Sequence, residues 1–300
     1  MSKIPTITNL YELEMERKRI IRKQCFCGLI ALIITIIISI LSQNFEMMIF
    51  WLFFSLLFSR IFTHSDETNY KNTYKQMIIL EIFKKVFTNV NFYPDKGLNY
   101  DVFKTVDVIK QPDRYSTNDY IYATYNNIPF ETADVHFEEK HTDSKGRTHY
   151  YTFFQGQWYI FDFNKSFVSD VQIIDSRFGY SSRNSFFKNN FNKIQLEDIE
   201  FNDMFKTYAQ NDLDAFYLLT PHTVEKIKTL KYANKGQLIF CFNNNKLHIG
   251  VNNKRNSFEP NLYKTINVDE IEKQTLQEIY DIISFINYLD LDNTLFRKEV

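Results

Sequence analysis

The stretch FQGQWYIFDFNKSF, residues 154–167, is apolar at nearly every position before it ends in Asp162, Asn164 and Lys165. Its run of aromatic side chains is typical of a β-strand. Alternate residues of a strand point to opposite faces of a sheet. Because both sets are apolar here, we predict a strand that is buried on both faces. Gly156 within the run indicates a bulge or a close approach of another backbone segment.

The alternation also assigns the side chains of this strand to faces. One face is predicted to carry Tyr151, Phe153, Tyr159, Phe161 and Phe163, and the other Phe154, Gly156, Trp158, Ile160, Asp162 and Asn164. The polar end has two interpretations. Asp162, Asn164 and Lys165 form a candidate ligand-binding site, with Asp162 as a general base or ligand group. Alternatively, Asp162 accepts hydrogen bonds from backbone N–H groups or from Lys165 where the strand leaves the core.

Other segments with the composition of strands lie around this one. They are rich in aromatic and β-branched residues and cover residues 121–125, 132–140, 149–154, 237–242 and 246–251. The turn composition of TDSKGRT at 142–148 predicts a hairpin, and so does the Asn-rich turn at 243–245. Strands joined by short loops pair antiparallel, so we predict an antiparallel meander. The polar residues 176–199 are predicted to form a long loop.

Three helices are predicted beside the sheet. Apolar residues recur at helical spacing over 66–89, with Asp66 as the N-cap, and again over 268–289. A third helix is predicted over Leu219–Gly236, where Thr220 is a suitable N-cap. The predicted fold class is therefore α+β, with an antiparallel sheet packed with helices.

Two apolar runs near the N-terminus predict a transmembrane helical hairpin. The first, Cys25–Leu41, has 17 residues and no charge, and the second, Met47–Phe62, is broken only by Arg60. A helix of about 20 apolar residues crosses a bilayer, and Arg60 can extend toward the headgroups. A signal peptide fits poorly, because the first run is too long and a second follows closely. A re-entrant hairpin and a soluble core hairpin stay open as alternatives.

Basic residues predict the orientation of this hairpin. They precede the first run and lie at or beyond the end of the second, and the connecting loop has none. Because cytoplasmic flanks carry the excess of Lys and Arg, both termini are predicted to face the cytoplasm at a bacterial cytoplasmic (inner) membrane. The predicted organisation is a cytosolic tail at 1–24, the hairpin at 25–62 and a cytosolic domain at 63–300. The predicted membrane-interface residues are Arg17, Lys18, Arg19, Arg22, Lys23 and Arg60.

Charge and cysteine content narrow the function classes. Residues 1–62 carry a net charge of +3 and the remaining residues −4, and an acidic soluble part argues against nucleic acid as a partner. The three cysteines, Cys25, Cys27 and Cys241, do not form a disulfide framework. Cys241 alternates with phenylalanines and is predicted to be buried and inert.

No metal or cofactor is predicted. His141 and His149 are expected to face each other across the predicted hairpin, close to carboxylates. Zinc needs such ligands, but an exposed hairpin tip has no cavity to exclude water, so we predict no metal site there. The common phosphate-loop, dinucleotide, nucleophile-elbow and zinc-protease motifs are absent from the sequence. Enzymatic activity is left uncertain, and a function without catalysis is favoured.

Three stretches in order resemble a family of bacterial membrane-associated proteins catalogued as domain of unknown function (DUF) 3137. They are FQGQWYIFDFNKSF, then Leu196–Ile227 with its acidic-Phe, Phe-x-x-Tyr and L-T-P succession, then Phe240–Pro260 ending in F-E-P. The resemblance covers about residues 66–290, and the polar insert at 176–194 departs from it. It implies paired N-terminal spans and a cytosolic domain, and it brings no activity.

Two functional hypotheses follow. The first is a membrane-anchored cytosolic interaction or scaffolding domain, whose partners are the lipid bilayer and a protein of unknown identity. The second is a membrane-tethered enzyme or small-ligand sensor that uses the strand end at Asp162, Asn164 and Lys165. The first rests on the predicted anchor, the acidic domain and the missing catalytic motifs, and the second on the polar strand end.

Overall fold

The computed structural model describes residues 10–42, 48–162, 169–184, 190–289 and 291. The chain divides into two compact units. The first comprises Met1–Ile79 and Glu259–Glu272, and the second Leu80–Phe258 and Lys273–Val300. The first unit contains the long N-terminal helices, and the second contains the sheet. The coarse prediction of a mixed helix and sheet fold is confirmed.

The first unit contains two long helices, α1 (Leu10–Ser42) and α2 (Met48–Tyr74). Residues Lys75–Ile79 continue α2 as a π-helical segment. Among the described residues, one helix is long and apolar enough to cross a membrane, namely α1 over Leu10–Leu41. Such a helix near the N-terminus fits a membrane anchor or a signal sequence. The two-helix transmembrane hairpin stays a prediction.

Polar side chains join α1 to α2. Lys23 Nζ lies 2.5 Å from Asp66 Oδ2, and Gln24 Nε2 donates to Glu67 Oε1 at 2.5 Å. Asp66 therefore acts as an ion-pair partner inside a helix. The prediction that it caps a helix at residue 66 is wrong, because α2 begins at Met48 and passes through that position.

A buried lysine connects the π-helical segment to residues 259–272 of the same unit. Lys75 is 3% exposed, and its Nζ lies 2.6 Å from Glu259 Oε1. Lys71 Nζ lies 2.7 Å from the other oxygen of Glu259, so two ammonium groups share one carboxylate. Burial raises the pKa of Glu259, but hydrogen bonds from Lys71 and Lys75 outweigh it and hold the pKa below its usual value.

The second unit is an antiparallel sheet flanked by helices. Its strands are β1 (Thr88–Tyr93), β2 (Arg114–Tyr125), β3 (Ile128–Thr142), β4 (Thr148–Asp162), β5 (Val171–Asp175), β6 (Asn192–Ile194), β7 (Phe205–Ala209), β8 (Gln237–Asn243) and β9 (Lys246–Asn252). Within the described residues their order is β1-β2-β3-β4-β9-β8-β5-β7-β6. Neighbouring strands pair antiparallel, which confirms the predicted hairpins and meander. The helices are α3 (Leu80–Lys84), α4 (Asp101–Val106), α5 (Ile199–Met204), α6 (Asp212–Leu218), α7 (Pro221–Ala233) and α8 (Val268–Tyr288).

The strand β4 is buried on both faces, as its composition predicts. On one face Trp158 lies against Phe103 of α4, with ring centroids 5.0 Å apart. On the other face Tyr159 and Phe161 contact Phe285 of α8, at 5.3 and 6.4 Å. Helices therefore cover this central strand from both sides, and neither face is open to solvent along its buried part.

Phe153 departs from the predicted alternation. The register between β3 and β4 shifts at Phe137, where Phe154 is its partner and Thr152 is the partner of the next residue. This bulge leaves Phe153 as the extra residue. Phe153 stacks on Tyr180 at 4.6 Å and joins the same buried cluster as Phe154, so its assignment to the opposite face is wrong.

Most other element predictions are confirmed with shifted ends. Thr220 caps α7 by accepting a hydrogen bond from the backbone N–H of Thr223, as predicted, but the C-cap is Asn234. The predicted long loop at 176–199 is wrong in part, because it contains the strand β6 and a 3₁₀ turn at Ser182–Asn184. Residues 185–189 of that stretch lie outside the described residues.

Candidate functional site

Asp162 is the last residue of β4 and lies opposite Lys246 of β9. Its side chain is 49% exposed, and Lys246 Nζ lies 3.9 Å from Asp162 Oδ1. Lys246 lies equally far from Glu131 of β3, so the lysine is shared by two carboxylates. Asn164 and Lys165 lie outside the described residues. A ligand-binding role for this strand end stays a prediction.

The predicted membrane-interface residues are placed in different surroundings. Arg17 is 5% exposed, and its guanidinium donates to both oxygens of Glu14 and to the backbone oxygen of Leu262 at 2.6 Å. Four residues are exposed on α1 and one on α2: Lys18, Arg19, Arg22 and Lys23, and Arg60. The side chain of Arg17 thus makes its contacts within the first unit. For the other five residues, a role at the membrane interface stays a prediction.

The hairpin tip between β3 and β4 has the geometry predicted for its histidines. His141 and His149 are direct partners across the ladder, and His141 Nε2 lies 3.1 Å from Glu139 Oε2. Both histidines are exposed, and the side chain of Glu139 is 18% exposed. In the part of the chain that the structure describes, no three His, Cys, Asp or Glu side chains are grouped to hold a metal ion.

A buried polar network connects β3 and β4 to the segment after β9. Asp134 is 5% exposed, and its Oδ1 accepts a hydrogen bond from Gln157 Nε2 at 3.2 Å. Its Oδ2 accepts one from the backbone N–H of Ser257. Asn253 Nδ2 donates to Gln157 Oε1 at 3.0 Å and extends the network. Burial and the charge of nearby Asp119 raise the pKa of Asp134 to about 8.

Two carboxyl groups of α8 lie on the same side of that helix and continue the network. Glu278 and Asp281 are one helical turn apart, and Ser257 hydrogen-bonds to Glu278. Burial and the neighbouring Asp281 raise the pKa of Glu278 to about 7, and burial raises that of Asp281. Arg255 acts against both shifts through its charge. The network therefore holds carboxyl groups that change protonation near neutral pH.

A cavity of about 370 Å³ opens beside this network, and we call it the polar cavity. It lies between the end of α7, the end of β9 and one side of α8. Gln277 Nε2 donates to Asp281 Oδ1 at 3.4 Å on the α8 wall. Two cations and one carboxyl group are among its lining residues, which are Ala233, Asn234, Lys235, Gly236, Val251, Asn253, Arg255, Gln277 and Asp281.

The sequence predicts no functional role for the residues that line this cavity. Lys235, Arg255 and Asp281 come from three separate segments that only the sheet order and α8 bring together. One local signal was present: the polar run NNKR at 252–255 begins at the last residue of the buried strand β9. The polar end of β4 was singled out by the same kind of signal.

A second surface feature is the exposed apolar face of α6. Leu213, Phe216 and Tyr217 are 76%, 53% and 61% exposed, and their spacing places them on one side of the helix. Ala215 and Leu218 on the other side are buried against the sheet unit. We call Leu213, Phe216 and Tyr217 the α6 apolar face.

These features define an α+β protein with a long apolar N-terminal helix and an antiparallel sheet unit. Residues 152–291 match the family described as protein of unknown function (DUF3137). This confirms the family resemblance for that range, whereas residues 66–151 lie outside the matched range. The match runs from within β4 to beyond α8, so it includes every residue that lines the polar cavity.

Comparison with individual proteins adds less. No curated protein matches the chain. The crystal structure of the mycobacterial trehalose monomycolate transport factor A, TtfA, aligns with 77% of this chain and 97% of that chain at 10% identity. The TM-score of this alignment is 0.38, which assigns neither a fold nor a function.

Proposed function

We propose that the protein is a membrane-anchored interaction or scaffolding domain at the bacterial inner membrane. The observation that carries the anchor is the surface of α1. Between residues 26 and 41 it exposes nine large apolar side chains, at 42% or more: Phe26, Leu29, Ile30, Ile33, Ile34, Ile36, Ile37, Ile40 and Leu41. Contact of so many apolar side chains with water is strongly unfavourable. The hydrocarbon core of a bilayer removes that contact and stabilises the helix.

The polar residues within α1 support this placement. Thr35 Oγ1 donates to the backbone oxygen of Ala31 at 2.8 Å, and Ser39 Oγ donates to that of Thr35 at 2.9 Å. In the hydrocarbon core of a bilayer, polar groups must find their hydrogen-bond partners within the protein. Both hydroxyl groups do so, because they donate to carbonyl groups of their own helix. In our proposal α1 pairs with the second apolar run to form the hairpin at 25–62, and residues 63–300 form the cytosolic domain.

The interaction surface that we propose is the α6 apolar face. Asp212 and Asp214 lie in the first turn of the same helix and give the face an acidic rim. An anionic bilayer surface and nucleic acid both repel such a rim. A protein partner that combines apolar side chains with Lys or Arg is complementary to it. The partner that we propose is therefore a protein with a basic-rimmed apolar patch.

Site-specific photocrosslinking in the native membrane tests this proposal. A photoreactive phenylalanine analogue at Phe216 of the full-length protein should give one defined adduct with a second protein. The matched control carries the analogue at Tyr280, which is exposed to a similar extent on α8. The adduct should disappear with Leu213→Asp and persist with Leu276→Asp. Equal adducts from both positions, or adducts that Leu213→Asp leaves intact, would contradict the proposed surface.

A further inference from the structure

The polar cavity has the size and the chemistry of a small-molecule site, and its residues are separate from both Asp162 and the α6 apolar face. Binding sites for small ligands have volumes of roughly 300–1,000 Å³ with a few converging polar groups. The polar cavity, at about 370 Å³, is at the lower end of that range. The polar cavity is therefore large enough to hold a small polar molecule such as a free amino acid.

The charges in the polar cavity come from different walls. Arg255 follows β9, and Lys235 follows the end of α7. Both are exposed at the cavity, where their donors are open to an incoming anion. Arginine presents a planar donor pair that matches the two oxygens of a carboxylate. This side of the cavity therefore favours a carboxylate group.

The α8 wall has the opposite preference. Asp281 lines the polar cavity, and Glu278 lies one turn before it on the same side of the helix. The C-terminal end of α7, at Ala233 and Asn234, also lines the cavity. A helix C-terminus carries partial negative charge on its last carbonyl groups and stabilises a cation. Asp281 and this helix end together favour an ammonium group.

We propose that the polar cavity binds a small zwitterion, with a carboxylate held by Arg255 and Lys235 and an ammonium held by Asp281 and the end of α7. The ligand class is that of free α-amino acids. Such a site goes beyond the proposed interaction function, and it gives the cytosolic domain a way to respond to a metabolite.

Other ligand classes match the lining less well. A purely anionic ligand, such as phosphate, meets the negative groups of Asp281 and of the α7 end. A divalent cation lacks a ligand set, since the described residues hold no group of three suitable side chains. Sugars are commonly held against aromatic rings, and no described lining residue is aromatic.

The test uses full-length protein in nanodiscs and isothermal titration calorimetry. Glycine, L-alanine, L-serine, L-glutamine, L-glutamate and L-lysine are titrated first. The best binder is then compared with its N-acetyl form, which lacks the ammonium, and its amide, which lacks the carboxylate. We expect each derivative to bind with an affinity at least about tenfold lower than that of the parent amino acid, because each loses one charge-assisted interaction.

Variants assign that binding to the polar cavity. Arg255→Gln should lower the affinity for the parent amino acid by about tenfold or more and change the affinity for its amide little. Asp281→Asn should likewise lower the affinity for the parent amino acid and change the affinity for its N-acetyl form little. Asp203→Asn and Lys145→Gln make the same charge changes at exposed positions outside the cavity and should bind like wild type. Arg255 is exposed on a loop, so its variant tests the site even where Asp281→Asn fails to fold.

Three results would overturn the proposal. One is that none of the six amino acids binds. Another is that the N-acetyl form or inorganic phosphate binds as well as the parent, which would make the cavity a simple anion site. The third is that the two control variants lose as much affinity as Arg255→Gln.

Discussion

Burial in the fold controls the protonation of Asp134. Its pKa of about 8 is well above the value of about 3.9 in an unfolded chain. The folded state therefore favours the neutral carboxyl group. This contribution to the free energy of unfolding is full below about pH 4 and is lost as the pH rises toward about 8. We expect Asp134→Asn to flatten the fall in stability over that window.

Denaturant unfolding at several pH values checks this prediction. Asparagine keeps one acceptor oxygen but turns its amide toward a donor, so we also expect a pH-independent loss of about 1–2 kcal/mol. Glu278 titrates in the same region, so a smaller residual slope should remain in the variant. Asp203→Asn, on the exposed side of α5, should keep the wild-type profile. An unchanged slope in Asp134→Asn would show that the ionised carboxylate is stable in the fold.

Gly156 is a position where a single methyl group should disrupt the sheet. A Cβ atom there would lie 2.0 Å from the backbone oxygen of Val251, and the backbone φ is +155°. Backbone atoms cannot move aside without breaking the pairing of β4 with β9. We expect Gly156→Ala to lower the free energy of unfolding by about 3 kcal/mol. Thermal unfolding measures it, and Gly179→Ala, which adds its methyl group to open space, should be nearly neutral.

Three residues of β3 and β4 show what local sequence can and cannot predict. The close backbone approach at Gly156 follows from a glycine inside an apolar strand, and the structure confirms it. The face of Phe153 is set by a bulge that depends on the register with β3, so the sequence of one strand does not contain it. Asp134 likewise looks like an ordinary strand residue, because its partners Gln157 and Ser257 are distant in sequence.

Among the structural elements, the π-helical segment contributes a buried lysine to an ion pair within the first unit. Lys75 is buried beside Glu259, and Glu259→Gln removes the carboxylate that neutralises it. Breaking such a buried pair from one side costs about 3 kcal/mol. Because the pKa of Glu259 is lowered, this stabilisation exists above about pH 4.3 and is lost as the pH falls below that value. We expect Glu259→Gln to be less stable at neutral pH, with a smaller difference in acid.

Unfolding of the full-length protein in detergent at neutral and acidic pH measures this difference. The matched control is Glu81→Gln, which removes an exposed pair with Lys84 on α3. Exposed pairs of this kind contribute about 0.5 kcal/mol or less. Equal losses of unfolding free energy in the two variants would show that the pair of Lys75 and Glu259 stabilises the protein no more than an exposed pair does.

The elements themselves were more predictable than their arrangement. Local signals located the hairpin of β8 and β9, and the cap at Thr220 located the start of α7. The strand order was not predictable in this way, because β9 pairs with β4 and β5 pairs with β8 across long sequence separations. No local periodicity encodes those pairings. The polar cavity depends on them, and this explains why its residues could not be found from the sequence.

For the whole molecule, the central prediction is the topology in the membrane. The exposed apolar surface of α1 and the placement of basic residues predict a hairpin with both termini in the cytoplasm. Single cysteines report on this in a background where Cys25, Cys27 and Cys241 are replaced by serine or alanine. In intact spheroplasts, we expect a membrane-impermeant maleimide to label Ser42→Cys, at the end of α1, and to leave Lys145→Cys unlabelled. After lysis, both should react, since Lys145 is at an exposed hairpin tip. Labelling of Lys145→Cys in intact spheroplasts would place the sheet unit outside, and protection of Ser42→Cys would leave a re-entrant or soluble hairpin as the better description.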